Sequence, residues 1–237
     1  MDHPTRRLQL LMRRFATLAR RFDASPEAVQ VLQAVISSFD PAVLQHFLPN
    51  QFSRMVTSVI NTTVKDSSGI LYADVYQDSF CHVNTFGMLR AGQRIPLHDH
   101  PNQYAVMKVF QGSVKIRSFS IVSRDNETDS SDVDSCSDSD RFVTTKYQGE
   151  TILSSRSGQH CAILGPHNGN IHEVVSLEPH TYFCDFFLPT SPSCNYYRSI
   201  DSAMPGQIVH LKRISCPREF YCKKMSFPSV ERFDQIE

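Results

Sequence analysis

Two histidines one residue apart, His98 and His100, stand in the stretch IPLHDHPNQ with Asp99 between them. In extended chain, residues i and i+2 project to the same face, so both imidazoles can chelate one ion. Pro96 and Pro101 bracket the pair and argue against a helix. Neutral imidazole suits iron, zinc, copper or nickel. An isolated H-x-H is a weak signal, because two surface histidines give the same pattern. The flanks add to it. Five residues separate Gly92 from His98, eleven separate His100 from Gly112, and Gly169-Asn170-Ile171-His172 follows about seventy residues on.

That frame resembles the two cupin motifs, G-x5-H-x-H-x(3–4)-E-x6-G and a second ending in G-x2-H, which in a cupin jelly roll meet inside one barrel. The resemblance makes His98, His100 and His172 the ligand set. It departs where the glutamate should fall, at Tyr104 or Ala105, neither of which carries a carboxylate. The asparagine that closes the second motif is Ser176. Asp99 alternates to the opposite face of the strand, which disfavours a site of two histidines and one carboxylate. Three neutral ligands leave the charge of a divalent ion uncompensated, so an anionic substrate is favoured and a bound thiol loses its proton. With iron(II), open positions for thiolate, amine and O2 point to thiol oxidation. Zinc also accepts three histidines and a water.

These residues need a scaffold. From about residue 69 the chain breaks into short β-branched and aromatic runs separated by Gly, Pro, Asn and Asp: ILYADVYQ, HVNTFGML, YAVMKVFQG, VKIRSFSIV, RFVTTKY, CAILG, HEVVSL, TYFCDFFL, QIVHLKRI and EFYCKKM. Many short strands at steady spacing predict an all-β sandwich or barrel. Upstream the texture is helical. Leu8, Leu11, Phe15, Leu18 and Phe22 form one apolar stripe, Ser25-Pro26-Glu27 is a helix start signal, and Asp40-Pro41 repeats it. Arginine pairs at 6/7, 13/14 and 20/21 flank the stripe. They also fit a mitochondrial presequence, but Asp2 and the lack of serine favour an amphipathic helix packed on the main domain. Residues 123–142 interrupt the β texture with an acidic Ser/Asp loop; seven acids fall within 123–140, with little that is apolar beyond Val133. This reads as a flexible surface hairpin insertion, with phosphorylation or cation attraction as the alternative. The division expected is a helical segment over 1–66, a β domain over 67–225 and a tail over 226–237.

Composition narrows the function. Lys+Arg and Asp+Glu are equal at 24, so no overall field points to nucleic acid or an anionic membrane. No apolar run approaches the ~20 residues of a membrane helix. The seven cysteines contain no C-x-x-C pair, and with no signal-peptide pattern they read as reduced thiols. A monomer in the cytoplasm, or also the nucleus, is expected.

IPLHDHPNQYAVMKVFQGSVKIRS resembles the iron-binding segment of the cysteamine (2-aminoethanethiol) dioxygenases and plant cysteine oxidases, in which PLH-x-HPG-M…K-x-L-x-G is typical. CAILGPHNGNIHEV, FCDFFLP and SCNYYRSI continue the likeness in the same order, over roughly residues 70–222, with SCPREFYC a weaker match. The resemblance implies a cupin jelly roll (double-stranded β-helix) and Fe(2+) held by His98, His100 and His172. It implies addition of both atoms of O2 to a thiol, giving a sulfinic acid. The substrate would be cysteamine or a protein's N-terminal cysteine, whose oxidation feeds a degradation route and so senses oxygen. It further implies that Asp185 and Tyr196 are catalytic or orienting, and that Cys194 and Tyr196 can join in a thioether. Asn102 replaces the glycine of HPG and tolerates a left-handed turn; Asn102 and Tyr104 are candidates for the substrate pocket. Pro189-Thr190-Ser191-Pro192 departs from the family's PPY, in a loop that could border the entrance. His82, His160, His167, His180 and His210 are read as structural or exposed. The competing class is a non-redox metal cupin, a zinc or nickel isomerase or a binding module.

Overall fold

The computed structural model describes residues 3–43, 70–124, 142–191, 193–199 and 203–225. The acidic insertion, the continuation of the Asp40-Pro41 helix signal beyond 43 and the C-terminal tail lie outside the described residues.

Two sheets face each other. One has six strands in the order β12 (Cys222–Lys224), β1 (Ile70–Gln77), β2 (His82–Met88), β9 (Thr181–Leu188), β4 (Tyr104–Gln111) and β7 (Cys161–Leu164). The other closes on itself as β10 (Tyr196–Ser199), β11 (Ile208–Ile214), β6 (Phe142–Ser154), β5 (Ser113–Arg124), β8 (Ile171–Ser176) and β3 (Arg94–His98). All neighbours are antiparallel except β1 and β12. This is the double-stranded β-helix of the cupin jelly roll, with a helical segment at its N-terminal end.

The expected strands form. Two that carry the site are hard to see in sequence: β3, which contains Pro96, and β10, which is four residues long. An apolar cluster of Ile70, Met88, Ile95, Met107, Val109, Val114, Ile116, Leu153, Val174 and Phe183 fills the space between the sheets. A second takes Leu97, Phe119, Val143, Tyr147, Ile171, Tyr197, Val209 and Leu211 from the six strands of the closed ring. Val114 and Ile116 serve the first cluster. A register shift between Ser118 and Phe119 then delivers Phe119 to the second.

Two helices, α1 (His3–Ala19) and α2 (Pro26–Ser37), cover the outer face of the six-stranded sheet. Ser25 caps α2 as expected, its hydroxyl accepting from the Ala28 N–H. The seam of α1 keeps Leu8 and Phe15 of the expected stripe and adds Met12 and Ala16. Leu8, Met12, Phe15 and Ala16 are buried, while Leu11 and Phe22 are only partly so. Phe15 meets Phe186 of β9 edge-on at 5.2 Å. A buried lysine completes the join. The Lys108 ammonium, on β4, donates to the carbonyls of Ile36, Ser37 and Phe39 at 2.9, 2.8 and 2.6 Å. These carbonyls lie at and just past a helix C-terminus, the end that favours a cation, and the Ile36 carbonyl also accepts from the Phe39 N–H at 3.2 Å.

Candidate metal centre

β3 delivers the first imidazole and the turn after it the second. β8 lies alongside, with His98 directly opposite His172. The ligand atoms of His98, His100 and His172 all lie within 4.8 Å of one another. The Nε2 atoms of His98 and His100 are 3.1 Å apart. His98 Nδ1 is 2.8 Å from the Pro96 carbonyl, and His172 Nδ1 is 3.1 Å from the Asn170 carbonyl. Those carbonyls can only accept, so each Nδ1 carries the proton and each Nε2 lone pair points to the common centre. His100 rests against the Phe187 ring at 4.6 Å. Burial lowers the pKa of all three: His172 to about 3, with His98 adding to the effect, and His100 well below its ordinary value. The set is therefore neutral and ready to coordinate at neutral pH. Among the described residues no carboxylate joins it. Three inward-facing neutral nitrogens fit a divalent transition metal.

Local backbone explains why the motif residues are what they are. Gly112 sits at φ +76, where a Cβ would also collide with Thr181; Gly169 sits at φ +64, two residues before the strand turns His172 inward. Asn102 adopts φ +58, the left-handed turn expected of it.

A fully buried residue that sequence reading passed over positions His100. The Asn170 carboxamide accepts from the His100 N–H at 2.9 Å and donates to the carbonyls of His100 and Gly165, both at 3.0 Å. Asp99 is the second. Its carboxylate faces away from the three nitrogens, as alternation predicts, and accepts from the Asn195 backbone (2.9 Å), the Asn195 carboxamide (3.0 Å) and the Tyr197 hydroxyl (2.8 Å). It is thus a clamp between β3 and β10, which carries Tyr196. The signal available was its place between two ligands on the other face of the strand.

His98 and His100 open into a cavity of about 470 Å³ lined from both sheets, including Tyr72, Asp74, His82, Asn84, Phe86, Gln103, Phe187, Cys194, Tyr196 and Phe220. A larger cavity of about 1050 Å³, rich in arginine, lies elsewhere and contains none of the three histidines. Tyr196 lies opposite His98 in the sheet, with its ring 6.4 Å from that imidazole. Burial and Cys194 raise its hydroxyl above the ordinary tyrosine range, so it stays protonated. Burial, with the Asp99 charge, pushes the Cys194 thiol up to about 12. Ser191 and Ser193 also line the cavity, so the loop that departs from the family's PPY does border it.

Two expectations need correction. Tyr104 does not face the cavity: the alternation of β4 sends it outward with Val106 and Phe110, and it packs on Phe22 at 5.0 Å. Asn102 is exposed on its turn and is absent from the cavity lining. His82 is structural, as read: it bonds Asp74 at 2.9 Å, and it also lines the cavity. Asp74 also accepts from Tyr72 and, at 2.8 Å, from Lys224. Burial works against its charge, but these bonds win and hold the carboxyl below its usual range.

Asp185 is buried in the middle of β9. It has neither a basic partner nor a hydrogen bond among the described residues, and it does not line the cavity. It lies across the strand pair from Asn84, which does. Burial alone lifts its carboxyl to about 8.

Comparison with known proteins agrees with this geometry. The chain is 24% identical over 205 residues to 2-aminoethanethiol dioxygenase of Homo sapiens, an alignment covering 69% of this chain and 68% of that protein. It is 30% identical over 122 residues to a probable 2-aminoethanethiol dioxygenase of Dictyostelium discoideum, covering 49% and 50%. A solved Klebsiella pneumoniae protein with a double-stranded β-helix domain aligns at TM-score 0.33 and 17% identity over 51% of this chain and 77% of that one, too loosely to carry an argument. The family profile described as PCO_ADO matches residues 35–231, and the chain belongs to that family.

Proposed function

We propose that this protein is an iron(II)-dependent thiol dioxygenase that joins both atoms of O2 to the sulfur of an aminothiol, R–SH + O2 giving R–SO2H. The observation that carries the reading is the ligand set: three clustered neutral imidazoles, two of them (His98 and His172) fixed through Nδ1 and two (His98 and His100) lining a cavity, with no ligating acid among the described residues. Fe(2+) bound there would supply the redox-active centre that brings O2 and a thiolate together. The relatives named 2-aminoethanethiol dioxygenase support the substrate class.

The protein's own groups supply the rest. Neutral ligands leave the bound ion's charge to draw in a thiolate. The Tyr196 hydroxyl, kept protonated at the cavity wall, can donate a hydrogen bond to the substrate. Asp185, behind Asn84, is a positioning residue whose carboxyl can ionise when an ammonium approaches. The Asp99 clamp holds the Tyr196 strand against the ligand strand. The cavity, about 470 Å³, exceeds what a small aminothiol fills, which favours a chain beginning with cysteine over cysteamine. On that substrate an oxygen-sensing role in degradation follows.

Iron-loaded protein should consume O2 with a Cys-initiated peptide, and the product should gain two oxygen atoms by mass spectrometry. His172→Ala should abolish both. Purified protein that holds zinc and takes up no O2 with that peptide or with cysteamine would establish the non-redox cupin instead.

A further inference from the structure

Cys216 has no part in the site as described, yet the fold brings it to Cys194. β10 and β11 pair with Tyr196 opposite Ile214 and Tyr197 opposite Arg213. Continued two residues past the last pair, that register sets Cys194 opposite Cys216. Directly opposed residues of an antiparallel pair lie about 4.5–5.5 Å apart at Cα, inside the about 4.4–6.8 Å that a disulfide spans. The side chains agree. Cys194, Tyr196 and Cys216 line one small cavity of about 270 Å³, and the Tyr196 hydroxyl interacts with both sulfurs. Both cysteines are free and belong to surface residues, but the surroundings of Cys194 hold its thiol protonated, so Cys216 is the sulfur that meets an oxidant first. Besides Tyr196, the sulfurs make long contacts to the neighbouring carbonyls of Asn195 and Pro217, at 4.0 and 3.8 Å.

We propose that Cys194 and Cys216 are a modification site, a cross-strand dithiol at the rim of the metal cavity that hydrogen peroxide converts to a disulfide. One sulfur attacks the peroxide, the O–O bond breaks, and a sulfenic acid and one water result. The other sulfur attacks the sulfenic sulfur, the S–S bond forms and a second water leaves. The two thiols give up two protons and two electrons, and the peroxide accepts them. The Cys194 sulfur can end in this disulfide or in a thioether to Tyr196, but not in both. Because Cys194 and Tyr196 line the metal cavity, the disulfide ties that rim to the segment after β11 and slows turnover. The effect on turnover rests on the thiol dioxygenase reading; the pairing itself does not.

The test treats the full chain with hydrogen peroxide before iron loading, alkylates it under denaturing conditions and maps it by mass spectrometry. The expected product is a linked Cys194–Cys216 peptide pair, lighter by two hydrogens and separated by dithiothreitol. A Cys194–Tyr196 thioether has the same mass loss but survives the reductant. After iron loading, peroxide-treated wild type should show several-fold slower O2 uptake with a Cys-initiated peptide, restored by dithiothreitol. Cys216→Ser should lose both the linked pair and the reversible inhibition. Alkylation of both sulfurs in treated wild type, a Cys216–Cys222 link, or equal reversible inhibition of Cys216→Ser overturns the proposal. Failure of untreated, iron-loaded protein to consume O2 counts instead against the dioxygenase reading and leaves the mapping result to stand.

Discussion

Replacing Asn170 tests whether the metal centre depends on the frame behind it. The carboxamide touches no ligand nitrogen, yet it binds the His100 backbone on both sides and ties it to Gly165. In Asn170→Ala the His100 carbonyl keeps one partner, the Gln103 N–H at 3.1 Å. The His100 N–H and the Gly165 carbonyl lose the partner that Asn170 supplied. At about 1–2 kcal/mol for each of the two stranded groups, the metal-free protein should lose ~2–4 kcal/mol. For a chain of this size that is a fall in Tm of roughly 5–15 °C. With His100 free to drift, metal affinity should fall by about 10–100-fold. Asn170→Asp keeps the shape and the acceptor but replaces both donors with oxygen facing carbonyls, so it should lose most of the same affinity. The assays are thermal melts of metal-free protein and a cobalt(II) or iron(II) titration. Metal affinity within about two-fold of wild type, with a melt shifted by less than about 2 °C, would refute the reasoning.

Other expectations follow from single groups. Asp185 has a folded pKa of about 8 against an ordinary 3.8, so between these values the folded chain holds a proton that the unfolded chain has lost, and stability falls as pH rises. Asp185→Asn should therefore raise the Tm, more at pH 8 than at pH 4, while kcat/KM for a Cys-initiated peptide drops; no pH dependence in the gain would sink this account. His172 runs the other way. Its folded pKa of about 3 against 6.5 means that metal-free protein keeps its full stability above about pH 6.5 and loses it on acidification towards 3, a slope that His172→Gln should flatten in pH-dependent melts. Lys108→Met should remove three charge-assisted hydrogen bonds at the end of α2, leave the Phe39 carbonyl without its lysine partner and cost about 1–3 kcal/mol, exposing the helices to proteolysis while metal affinity stays near wild type.

What the sequence discloses about this site follows from distance along the chain. His98 and His100 are two apart, and His172 follows a glycine by three, so strand alternation alone brings two of them to one face and a motif supplies the third. Asp99 is legible on the same grounds as a non-ligand. Its clamp on Asn195 and Tyr197 is not, because those contacts span 96 and 98 residues. β4 shows where the period fails. YAVMKVFQ is buried on both faces, so its pattern does not fix the phase, and Tyr104 was assigned to the cavity when it packs on Phe22. Lys108 would ordinarily mark the solvent face of such a strand; here that face is covered by helices, and the lysine is buried capping one of them. The far wall of the cavity, Tyr72, Asp74, His82 and Lys224, comes from β1, β2 and β12, which meet the ligand strands only through the packing of two sheets. The chemistry thus sits in local spacing, which a motif can record, whereas the surface that must tell one thiol from another is assembled from long-range contacts. Substrate preference in this chain should accordingly respond to changes at Asp74, His82 and the Ser191–Ser193 rim while the three imidazoles continue to bind metal.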